Sequence, residues 1–77
     1  MPTIFIKSGF RFFFYSNEHR PIHVHVRKGG GEAVFDVENE IVLRESIGLK
    51  TRKLKDAEDL AAEHQQLIIL AWHEHIG

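Results

Sequence analysis

Seventy-seven residues suffice for one small domain and are too few for two, and a chain this short buries only about 60% of its unfolded surface. With 43% hydrophobic and 27% charged residues and a formal charge of −1, the composition fits a folded domain and excludes both a disordered chain and a basic nucleic-acid arm. The absence of cysteine excludes disulfides and thiolate zinc sites and suits a reducing compartment.

One domain over residues 1–77 is the expectation, with a β-rich front and a helical back. Residues 3–7 alternate loosely and predict a short strand, with Gly9 in the turn that follows. Residues 10–16 are dense in aromatics and predict a second strand. Residues 17–21 read as a loop, because Asn17 and Pro21 favour turns. Residues 22–28 alternate strictly and predict a third strand, broken by Gly29, Gly30 and Gly31. Residues 32–37 alternate again, so the glycines are expected to turn a β-hairpin. A further short strand is expected at 41–43.

From about Arg52 to His75 the apolar spacing becomes helical, a continuous length of about 36 Å. Thr51 is the expected N-cap, its hydroxyl accepting from a free amide of the first turn. Leu54, Ala57, Leu60, Ala61, Leu67, Ile68, Ala71 and Trp72 form one apolar stripe, with Trp72 in the core. His64 and His75 fall within that stripe, about 16 Å apart along the axis, too far to share one ion. Both are expected to be core-edge groups. Leu70 points off the stripe and marks a contact with a partner or a second copy, a homodimer through this region. Lys50, Arg52, Lys53 and Lys55 crowd the helix entry, at the unfavourable end of the helix dipole, and read as solvated. The fold class is therefore α+β: a small antiparallel sheet of three to five strands with one long C-terminal helix packed on one face.

Alternation sorts the strand side chains into two sets. Phe10, Phe12, Phe14, Ile22, Val24, Val26, Ala33, Phe35 and Val37 share the core face. Arg11, Phe13, Tyr15, His23, His25 and Arg27 share the other, with Glu32 and Asp36 close by. One layer of helix leaves that second face to solvent or a ligand. On this reading His23, His25 and Arg27 carry little stability.

Six histidines are the compositional anomaly, and protonating all of them would move the formal charge from −1 to +5. The His23–Val24–His25 spacing admits three readings. The pair could chelate a divalent ion with His19 from the loop and Glu32 or Asp36 from the next strand. One histidine could serve as a general acid or base beside Arg27, which makes His23, His25 and Arg27 the catalytic candidates. Or the histidines merely face outward. The anion reading ranks above the metal reading, so no cofactor is expected and His19, His23 and His25 are only the lesser metal set. The candidate binding residues are Arg11, Phe13, Tyr15, His19, Arg20, His23, His25 and Arg27, for RNA or DNA or else for a cognate small protein. Nothing in the sequence resembles a leader or a membrane span, so the cytoplasm is the expected location.

The opening Met-Pro-Thr-Ile-Phe, the segment from Gly9 to His19, the run His23-Val24-His25-Val26 and the closing Trp72-His73-Glu74 resemble the small prokaryotic family called domain of unknown function 4160. Such proteins often occur as half of a two-gene pair, so the resemblance implies a toxin–antitoxin-like or regulatory partnership. Relatives often carry two prolines before the first histidine of that run, whereas here Ile22 follows Pro21. A small polar helix cap is usual in the family, and here Lys50 stands in its place.

Overall fold

The structure, a computed structural model, describes residues 3–77. Met1 and Pro2, which open the first segment of the family resemblance, lie outside the described residues. Five strands, β1 (Thr3–Lys7), β2 (Phe10–Phe13), β3 (His23–Lys28), β4 (Gly31–Asp36) and β5 (Val42–Ile47), form an antiparallel meander in chain order. Two tight turns set its register. Ser8 and Gly9 take positive φ between Lys7 and Phe10, and Gly29 does so between the paired residues Lys28 and Gly31. Two-residue turns with positive φ match the twist of the strands they join. Gly31 is therefore the first residue of β4 rather than part of the turn. A Cβ there would stand 2.6 Å from the Leu49 side chain, so the site admits only glycine without movement.

The alternation read from the sequence sets the core. Phe10, Phe12, Phe14, Ile22, Val24, Val26, Ala33, Phe35 and Val37 are buried in one cluster with Ala57, Ala61, Ile68 and Trp72 from the helical half. Phe12 also carries the Phe5 ring stacked at 4.4 Å. Phe5 reaches this face because a bulge between Thr3 and Phe5 shifts the alternation of β1. At the other end of the core Phe14 meets Trp72 edge-on at 5.4 Å.

The helical half is two helices, α1 (Thr51–Glu63) and α2 (Gln65–His75), and not the single long helix expected. His64 leaves helical dihedrals, with φ −108° and ψ 20°. Its Nδ1 donates back to the Leu60 carbonyl at 2.9 Å while its ring lies 4.5 Å from Phe5. Next to it, the Gln65 amide donates to the carbonyls of Val37 and Asn39 at 2.8 and 2.6 Å, tying the start of α2 to the connection after β4. These tertiary bonds outweigh one turn of regular helix. The expected Thr51 cap is also displaced: Lys50 occupies the N-cap with no side-chain bond, since an ammonium has no lone pair to offer an amide. Leu67 lies on the rim of the stripe, 44% exposed, and His75 is exposed in the last turn rather than at the core edge.

Trp72 is 1% exposed and joins α2 to the sheet. Trp72→Ala is expected to remove about 3–5 kcal/mol, most of what a small domain possesses. Urea denaturation followed by circular dichroism checks this, and a midpoint near wild type would show that the ring anchors nothing.

Candidate functional site

The second face of the sheet has a small layer of its own. Phe13 is 0% and Val34 4% exposed, although neither belongs to the main core cluster. Register explains the arrangement. Phe13 stands opposite His25, which stands opposite Val34, and Arg11 stands opposite Arg27. Two like charges so placed would repel. Here each guanidinium lies over the Phe13 ring, at 5.1 Å for Arg11 and 5.4 Å for Arg27, where the negative face of the ring attracts it. Arg11 Nε also donates to Thr3 Oγ1 at 2.9 Å. Arg27 donates to Glu32 at 2.9 Å, and this carboxylate holds the guanidinium further above its ordinary range. Tyr15, 37% exposed, sits edge-on to both Phe13 and His25.

The connection 14–22 folds over one end of this face and brings in a residue the sequence reading did not select, Glu18. Its Oε1 accepts the Tyr15 backbone N–H at 3.2 Å and His25 Nε2 at 2.6 Å, and its Oε2 accepts His23 Nε2 at 2.6 Å. All three side chains are close to nine-tenths buried, with 11% exposure for Glu18, 6% for His23 and 12% for His25. Burial pushes the Glu18 pKa up, but the Tyr15 amide, the His23 hydrogen bond and the charges of His23 and His25 outweigh it, leaving the pKa below the usual carboxylate value.

Glu18 is a carboxylate, so both Nε2 atoms donate to it. His23 Nδ1 lies 2.7 Å from the Pro21 carbonyl, which only accepts, so this nitrogen donates too. Both ring nitrogens of His23 are therefore paired. His25 Nδ1 is buried and has no hydrogen-bond partner among the described residues.

This corrects the placement of His23. It is 4% exposed and lies 5.3 Å from the Trp72 ring, at the seam between the loop, the sheet and α2. Alternation turned it away from the main core as expected, but the loop then covered it. His25 and Arg27 remain on the second face, partly exposed, beside Arg11, Phe13 and Tyr15. His19 is exposed and outside the cluster: the Tyr15 amide turns Glu18 inward, and its neighbour in the chain points out. The histidine trio expected for a metal is thus replaced by Glu18, His23 and His25, whose ligand atoms lie within 4.8 Å of one another. Arg20 pairs with Glu38 at 3.2 Å. Glu32 and Asp36 are committed to Arg27 and Arg44, at 2.9 and 2.8 Å, and do not join the histidines. The signal for Glu18 was a single carboxylate in the loop between the aromatic strand and the histidine pair.

A cleft of about 290 Å³ runs between β4 and β5 on this face, lined by His25, Glu32, Val34, Glu45 and Ile47 among others. Of the basic residues at the start of α1, Lys55 pairs with Asp59 at 2.8 Å and the rest are exposed.

The family model described as a domain of unknown function, DUF4160, matches residues 9–73. The chain belongs to the DUF4160 family. The match takes in the connection over the second face, the Glu18–His23–His25 cluster and Trp72, and leaves out β1. No curated protein and no solved structure matches the chain.

Each nitrogen of His23 has a buried partner, so His23→Gln is expected to cost about 3 kcal/mol, the upper end of the range for leaving buried polar groups unsatisfied. His25→Gln strands one partner and should cost about 1 kcal/mol. His19→Gln should stay within about 0.5 kcal/mol of wild type. Denaturant midpoints of the three variants test this ranking, and equal midpoints would show that the cluster carries no stability.

Proposed function

We propose that this DUF4160 chain is a small binding module that takes single-stranded nucleic acid, RNA or DNA, on the second face of its sheet. The observation that carries the reading is the Phe13 ring flanked by the guanidiniums of Arg11 and Arg27, with Tyr15 exposed beside it. Guanidiniums held over a ring lose little freedom when they donate to a phosphate, and Tyr15 offers a surface on which a base can stack. Glu32 neutralises Arg27 in part and the formal charge is −1, so few phosphates would be held and affinity would be modest. Binding fits the site better than catalysis. Both nitrogens of His23 are committed and His25 has only a buried Nδ1 left, so neither offers an accessible proton-transfer atom. A cytoplasmic role beside a cognate small protein, of toxin–antitoxin or other regulatory type, is compatible with this reading.

Fluorescence anisotropy with a labelled single-stranded RNA of twelve nucleotides tests the proposal. Two phosphate contacts give a slope of log K against log salt of about −1.4. Arg27→Gln is expected to weaken binding about tenfold and to reduce the slope by about 0.7. Binding that is absent, or unchanged in both Arg11→Gln and Arg27→Gln, overturns it.

A second reading, a protein-partner module, is favoured by β5. This edge strand is exposed at all six positions, with Val42 at 52%, Leu43 at 42% and Ile47 at 76%. Leu70, 58% exposed on α2, is available as the sequence implied, but β5 also offers unpaired main chain. The occupant that fits is a second copy. Antiparallel pairing about the midpoint of Arg44 and Glu45 sets each Arg44 against a Glu45 and each Val42 against an Ile47. Light scattering at rising concentration should show a dimer, and Ile47→Lys should return it to monomer; a wild-type monomer at millimolar concentration sinks this reading.

A further inference from the structure

We infer that Glu18, His23 and His25 form a binding site for one divalent transition-metal ion of the zinc class. The inference rests on the cluster and is independent of the nucleic-acid reading. It reverses the expectation of no cofactor, and it replaces His19 with Glu18 as the third ligand.

The three donor groups converge from two elements. His23 and His25 occupy positions i and i+2 of β3, and Glu18 comes from the connection above them. Two imidazoles and a carboxylate suit zinc, iron(II) or cobalt(II), whereas calcium and magnesium take oxygen ligands. Three protein ligands also leave at least one coordination position open, which distinguishes the site from a closed structural zinc.

The surroundings orient these ligands. His23 Nδ1 donates to the Pro21 carbonyl at 2.7 Å, which leaves Nε2 as the ligating atom. Trp72 packs at 5.3 Å from the same ring, and the Tyr15 amide fixes the Glu18 carboxylate. A metal-bound histidine typically donates its second nitrogen to a carbonyl or carboxylate in this way.

Metal uptake balances as follows. The proton held between His23 Nε2 and Glu18 leaves to solvent. The Nε2 proton of His25 passes to Nδ1, the buried nitrogen that has no partner among the described residues. Both Nε2 lone pairs and one Glu18 oxygen then bind the ion. Bond lengths of about 2.0–2.2 Å place the donor atoms roughly 3 Å apart. The 2.6 Å contacts therefore lengthen while the wider separations in the cluster, up to 4.8 Å, close, movements open to a loop residue.

Untagged protein titrated with zinc chloride, and separately with cobalt chloride, tests the site. Calorimetry should give one ion per chain, and cobalt should give visible absorption of a mixed nitrogen–oxygen site. Zinc at a hundred times its Kd should raise the melting temperature by about 10–20 °C. Glu18→Gln and His25→Ala should each weaken binding about a hundredfold or more, while His19→Gln and a His73→Gln/His75→Gln variant should bind as wild type. His23→Gln is not needed, so a folding failure there leaves the test intact. No stoichiometric ion, or an ion retained by both Glu18→Gln and His25→Ala, overturns the proposal. Loss of the ion from the His19 or His73/His75 variants does so as well, by assigning the binding to surface histidines. RNA binding enters none of these readouts.

Discussion

A buried carboxylate is tolerated only when donors surround it, and Glu18 has three: the Tyr15 amide, His23 and His25. This constraint organises one end of the molecule. It draws the connection 14–22 down onto the sheet and seals His23 against Trp72. It also fixes the tautomer of His25. The Pro21 carbonyl and the Glu18 carboxylate between them pair both ring nitrogens of His23.

The same cluster divides the sheet's second face into two parts. At the loop end the side chains are committed to one another. Further along β2 and β3, Arg11 and Arg27 share the Phe13 ring and keep part of their surface in water. Tyr15 belongs to both parts, holding Glu18 by its backbone and touching Phe13 and His25 by its ring. A ligand on the arginine layer and an ion in the cluster would therefore be neighbours, in contact through Tyr15 and His25. No helix among the described residues is long and apolar enough to cross a membrane.

Strand alternation, the glycine turns and the helical apolar stripe are local patterns with periods of two or 3.6 residues, and they were legible in the chain itself. They specified which face of each strand met the core, the α+β class and the burial of Trp72. They also located His25, Arg27, Phe13 and Tyr15 together on the opposite face, and the aromatic segment with the histidine pair carried the family resemblance. The break at His64 was not legible, because it arises from bonds between Gln65 and the carbonyls of Val37 and Asn39, far away in sequence. Nor was the bulge that leaves Arg44 unpaired in the ladder between β4 and β5.

The site itself shows the division most clearly. The sequence by itself determined that His23 and His25 point away from Val24 and Val26, since a strand can do nothing else with neighbouring side chains. Only the tertiary structure decided that Glu18 rather than His19 meets them, and that His23 is inside rather than on the surface. A loop has no period from which a direction can be read. Which of its side chains turns inward depends on donors supplied by other elements, and those are in place only once the chain has folded.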